Sequence, residues 1–183
     1  MKVKFLIMAI SLLQVFSLTS CSATPSKKVV PKNKPRVVTL RPDSVAYSFL
    51  GKTMSDALFT PDKVNCYSLI PKETTTPDDV VIEPHFVRDT LIAKLDAKAI
   101  GVIQFLLLSN KENYKEDSLK VKSPYYPVLE FEFIKKKVIV HVLVSMSDYS
   151  WTVVYDDKKQ FNWNFSDKDA VIRFCELFTK KQK

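Results

Sequence analysis

Between Leu129 and Phe165 apolar and polar residues alternate so regularly that little besides an antiparallel sheet can accommodate them. Four segments share this period of two: LEFEF (129–133), VIVHVLV (138–144), WTVVY (151–155) and FNWNF (161–165). Successive side chains of a strand point to opposite faces, so each segment has an apolar and a polar side. The connections IKKK, SMSDYS and DDKKQ are polar and of hairpin length. The economical reading is a four-stranded antiparallel meander over about 128–165. One face would carry Phe131, Phe133, Val138, Val140, Val142, Val144, Trp151, Val153, Tyr155, Phe161, Trp163 and Phe165, and such a face must be covered by a second layer. The period also places the rings of FNWNF opposite its amides, which favours core packing over a sugar-stacking platform.

The covering layer is sought in helical patterns. Asp43 can cap a short helix through Tyr47 and Leu50, with a second turn around Ser55 to Phe59. From His85 to Asp96, Phe86, Val87, Leu91 and Leu95 share one helical side. A closing helix is expected to start at the cap Ser166, with Asp167 and Asp169 in its first turn and Val171, Phe174, Cys175 and Phe178 as its apolar side. VNCYSL (64–69) reads as a first strand, and PKETTTPDDVVIEP (71–84) as a loop. AIGVIQFLLLS (99–109) is apolar on all sides, so a buried strand and a buried helix fit equally. The expected fold class is therefore α+β, in one globular domain over 43–183 with helices on one sheet face.

The chain starts MKVKFLIMAISLLQVFSLTSCS. Lys2 and Lys4 precede an uncharged apolar stretch from Phe5 to Leu18, followed by small polar residues, which is the three-part pattern of a secretory signal peptide. The stretch falls short of the roughly 20 residues that cross a bilayer. Leu18-Thr19-Ser20-Cys21 resembles the lipobox of bacterial lipoproteins. That resemblance implies a signal peptide over 1–20, cleavage before Cys21 and acylation of its sulfur. Several acyl chains, each buried methylene contributing about 0.8 kcal/mol, anchor a protein without a transmembrane helix. Ser22-Ala23-Thr24 contains no Asp, which by the same resemblance points to the periplasmic leaflet of the outer membrane. LFTPDKVNCYSL and PVLEFEFIKKKVIVHVLVSMSDYSW are similar to segments of small lipoproteins of Gram-negative gut anaerobes that have no assigned activity.

The formal net charge of +8 is unevenly placed. Lys27, Lys28, Lys32, Lys34, Arg36 and Arg41 fall in 22–42, a segment with four prolines and no acidic residue, and this reads as an extended tether. All 20 acidic residues lie between Asp43 and Glu176, and the bases from residue 43 to 183 match them in number. A formally neutral domain gives no electrostatic reason to bind nucleic acid. With only Gly51 and Gly101, the chain offers neither a phosphate-cradling loop nor a dinucleotide fingerprint, so no nucleotide or other cofactor is expected. His85 and His141 lack HExxH or CxxC companions, and no metal is expected.

Two groups of residues remain as candidates. Glu130, Glu132, His141, Asn162 and Asn164 share the polar face of the meander with Ile139, Leu143, Thr152 and Val154. They could form an acid/base or ligand site, or simply a partly solvated sheet face, which alternation produces regardless of function. Cys66 and Cys175 are the two thiols left once Cys21 carries lipid. An even pair in an exported chain invites a disulfide, which over roughly 109 residues would contribute about 4 to 5 kcal/mol; two buried reduced cysteines fit the sequence as well. The expectation is an anchored envelope protein whose domain binds an envelope protein or polymer without catalysis. The competing expectation is a small periplasmic hydrolase built on His141 with Glu132 or a cysteine. Cys21→Ser should move the protein from the membrane to the soluble fraction and abolish metabolic labelling with a fatty acid; an unlabelled wild type that partitions like the variant removes the lipid anchor.

Overall fold

The period of two in the C-terminal half sets the register of the sheet. In a computed structural model, which describes residues 40–115, 124–156 and 158–179, the four alternating segments become β4 (Pro127–Lys135), β5 (Val138–Ser145), β6 (Ser150–Tyr155) and β7 (Lys158–Asn164), each pairing antiparallel with the next. All described residues belong to one compact unit, Arg36–Lys183. The sheet is larger than the sequence pattern suggests. It has seven strands in the order β2-β3-β1-β4-β5-β6-β7, with β1 at Lys63–Pro71, β2 at Val81–Glu83 and β3 at Phe86–Lys94, and it curls into a half-barrel.

β3 replaces the helix expected over His85–Asp96. Its pairing with β1 slips twice, between Cys66 and Tyr67 and between Tyr67 and Leu69. Bulges of this kind break the alternation of inward and outward side chains. The apolar residues of β3 consequently fall at irregular spacings that imitate a helical stripe, whereas Val87, Thr90 and Ile92 carry the β-branched side chains that suit a strand.

Three α-helices cover one face of the sheet: α1 (Ser44–Phe59), α2 (Ala97–Ile103) and α3 (Lys168–Thr179). Asp43 caps α1 as expected, its Oδ1 accepting from the backbone N–H of Val45 at 2.8 Å. The two helical pieces anticipated around Leu50 and Phe59 are both present in α1 and meet at a kink at Gly51, whose φ of 67° and ψ of 176° are not helical. α3 is capped by Asp167, which accepts from Ala170 N–H at 3.1 Å, and not by Ser166. Every apolar-face residue named from the alternation lies in or against the core, including Trp151, Phe131, Phe133, Val140, Val142 and Val153 at 0 % exposure. Val171, Phe174, Cys175 and Phe178 of α3 face them. The rings of FNWNF also pack there, Phe161 stacking on Trp163 at 4.1 Å and Trp163 meeting Phe49 of α1 edge-on at 4.8 Å.

The stretch left open between strand and helix is helical: α2 runs into a π-helical turn, Gln104–Leu108, followed by a 3₁₀ turn, Lys111–Tyr114. A π turn leaves carbonyls without ordinary helical partners. Asn113, fully buried, donates through Nδ2 to the carbonyls of Leu106 and Leu107 at 2.8 and 3.0 Å, and the Tyr114 hydroxyl donates to Leu108 O at 2.8 Å. Gln104 donates to Leu58 O and Phe59 O, fastening the turn to the end of α1. Gly51→Ala should lower stability by about 1 to 3 kcal/mol, because this backbone conformation is essentially restricted to glycine although no heavy atom stands near the added Cβ. An unchanged urea midpoint would show that α1 does not need this kink.

Candidate functional site: a buried charge cluster on the second sheet face

Alternation sends Glu130 and Glu132 of β4 and His141 of β5 to the face away from the helices, and register sets Glu132 directly opposite His141. The expectation of a partly solvated face holds only for some of its residues: Ile139 is 41 % exposed and His141 and Asn162 are half-buried. Glu130, Leu143 and Thr152 are fully buried, and Val154, Glu132 and Asn164 nearly so. Leu143 and Val154 pack with Leu69 of β1 and Ile82 of β2 in a small second core. The curl of the sheet is the reason: β1, β2 and β3 bring side chains over a face that a flat meander would leave to water.

Three of those side chains complete the polar cluster, and the sequence pattern did not point to them. Arg88 of β3 donates from Nε to Glu130 Oε2 at 2.9 Å, from Nη2 to Glu130 Oε1, and from Nη2 to Glu132 Oε1 at 3.0 Å. Its guanidinium lies over the ring of Tyr67, 3.9 Å from the centroid. Asn65 donates from Nδ2 to Glu132 Oε2 at 2.6 Å. His141 Nδ1 stands 2.7 Å from Glu130 Oε1. An ionised carboxylate only accepts, so Nδ1 carries a hydrogen and in the neutral ring Nε2 holds the lone pair. Asn65 and Tyr67 were visible in VNCYSL as members of a strand. Arg88 was hidden by the helical reading of its segment.

Burial raises the Glu130 carboxyl, but hydrogen bonds from His141 and Arg88 outweigh it and hold the group below its ordinary value. For Arg88, burial works against the charge and the two glutamates more than restore it. The Tyr67 hydroxyl is pushed up, first by burial and then by the Glu132 charge.

Glu130, Glu132 and His141 offer three donor atoms within 4.8 Å of one another, a spacing that could hold a metal ion. Yet all four carboxylate oxygens already accept from Arg88, Asn65 or His141. The guanidinium of Arg88 already sets a positive charge against both carboxylates. Asn162 and Asn164 do not join this group: Asn164 donates to the carbonyls of Asp148 and Tyr149, bracing the β5–β6 turn, and Asn162 lies opposite Thr152 on the outermost strand. Two open clefts lie away from the cluster, one of about 470 Å³ beside Asp43, Phe105 and Asp167, and one of about 700 Å³ beside Lys72, Glu73 and His85.

Cys66 and Cys175 are buried on the helix-covered face, across the sheet from His141, so neither shares a surface with the imidazole. Both are free thiols in the structure. Burial pushes the Cys175 thiol up to about 12 and that of Cys66 higher still. No protein-family model matches this chain, and no curated protein or solved structure matches it either.

Glu130→Gln should cost about 3 to 5 kcal/mol by leaving Arg88 short of its buried counter-charge. The sign of the pH dependence follows from the lowered carboxyl. The Glu130 contribution is complete above the unfolded value near 4.5 and is lost as pH falls through the lower folded value. Urea titrations from pH 7 to pH 3 should show wild-type stability converging on that of the variant; parallel curves would remove Glu130 from the acid response.

Proposed function

We propose that this chain is an exported lipoprotein, acylated at Cys21 and held through the basic tether of 22–42, whose domain over 43–183 binds another envelope component without catalysis. The anchor reading rests on LTSC at the end of an uncharged leader. The single observation that favours binding over catalysis is the closure of the charge cluster: each oxygen of Glu130 and Glu132 is taken by a protein donor, and the groups are spent on one another. Such a network rigidifies a sheet face and is a scaffold feature. The four-stranded meander with its helical cover is the platform on which this reading places the binding surface. The periplasmic leaflet of the outer membrane is the proposed location, with an envelope protein or polymer as the partner class.

One observation favours the second reading, a small periplasmic hydrolase. A fully buried carboxylate orienting an imidazole through Nδ1, with the ring 19 % exposed, is an arrangement that supports a general base. Crosslinking in intact cells tests the first reading directly, since it should recover a specific envelope partner with wild type and His141→Gln alike. If a hydrolytic activity is found and His141→Gln removes it while the circular dichroism and melting of the domain persist, the hydrolase reading replaces the binding one.

A further inference from the structure

Cys66 and Cys175 come from distant parts of the chain and are buried in the same core between α3 and the sheet. Cys66 lies mid-β1, directly opposite Phe131 of β4 on the helix-covered face. The ring of Phe131 is gripped by two rings of α3, stacked on Phe174 at 5.9 Å and edge-on to Phe178 at 5.7 Å. Those two residues bracket Cys175 along the helix, so the grip that seats α3 brings its cysteine down beside the β1–β4 seam. Both cysteines are 0 % exposed members of the same core cluster. After burial, the charge of Cys175 is the next influence on the Cys66 thiol, which places the two sulfurs within electrostatic reach.

We propose that Cys66 and Cys175 are an oxidation site, a dithiol that closes to a disulfide stapling α3 to β1. The oxidant is a disulfide, on a protein or a small molecule. One cysteine thiolate attacks it, forming a mixed disulfide and releasing the first oxidant sulfur as a thiol. The second cysteine then displaces the other oxidant sulfur, so the Cys66–Cys175 bond forms, the electron pair passes to the oxidant's sulfur–sulfur bond, and the two thiol protons end on the oxidant's two thiols. The attacking species is the thiolate, and burial suppresses it at both positions. Closure therefore precedes the seating of α3, or occurs when this C-terminal helix lifts away, and the seated helix then shields the bond. The proposal draws on the exported reading only for the source of the oxidant in the cell; the capacity of the pair does not depend on it.

The test uses the chain with Cys21→Ser, which retains these two thiols, unfolded in reductant, refolded in a glutathione redox buffer, alkylated in denaturant and weighed intact. The bridged product takes no alkyl group and no glutathione, takes two alkyl groups after reduction, and melts at a higher temperature than the reduced chain. Cys175→Ser in the same background serves as the control: its single remaining thiol, Cys66, should take one alkyl group or one glutathione and form no intramolecular bridge. Because refolding can fail, the same alkylation is applied to chain isolated without denaturation and treated with oxidised glutathione. A natively folded chain that takes two alkyl groups at every redox ratio, or carries only glutathione adducts, overturns the proposal. Export is tested separately by fatty-acid labelling at Cys21, so failure of one does not pass for failure of the other.

Discussion

The reach of Arg88 from β3 across β1 to Glu130 of β4 is the interaction on which the second face of the sheet depends. Adjacent strands lie about 4.8 Å apart, so residues two strands away in a flat sheet begin nearly 10 Å from one another. The guanidinium nevertheless makes a two-pronged contact with Glu130 and a further bond to Glu132. Curl and ion pair support each other: the curl brings the groups together, and the pairing makes burial of Glu130 tolerable. A lone carboxylate at 0 % exposure would be costly, whereas one satisfied by arginine and histidine is accommodated and ties three strands together.

The helical layer follows the same logic with neutral groups. Gln104, Asn113 and Tyr114 direct their polar ends at backbone carbonyls of the π turn and of α1, which supplies side-chain donors to an irregular segment packed in the core. Asn113 also accepts from Ser166 N–H at 2.7 Å, linking this segment to the approach to α3. The aromatic layer of Phe49, Tyr114, Trp151, Phe161 and Trp163 fills the space beside it through edge and stacked contacts. One sheet face is therefore held by aromatic and aliphatic packing, and the other by charge pairing around a small apolar patch.

Most of the C-terminal half was legible because its four alternating segments keep their period of two despite single register shifts in the β4–β5 and β6–β7 pairings, and period two assigns their side chains to faces without knowledge of their neighbours. The apolar list from Phe131 to Phe165 needed no tertiary information for that reason. β3 was not legible, because two bulges in its pairing with β1 disrupt the alternation and leave a spacing that a helix also produces. The arginine of the charge cluster went unseen with it. Glu130, Glu132 and His141 could be grouped from their own strands, but Arg88 sat in a segment read as helical, and no local pattern announces that an arginine will cross an intervening strand.

The sequence by itself determined the α+β class, the face of each C-terminal strand, the cap at Asp43, and the separation of the basic, acid-free stretch 22–42 from a formally neutral remainder. These are local properties, set by periodicity, capping chemistry and the order of charges along the chain. Only the tertiary structure decided that the sheet has seven strands, that most residues of its polar face are buried, that Arg88 pairs with both carboxylates, and that Cys66 and Cys175 share one core. Each of those depends on contacts between residues far apart in the chain, whose existence rests on sheet curl and strand order, and neither leaves a repeating signature in a single sequence.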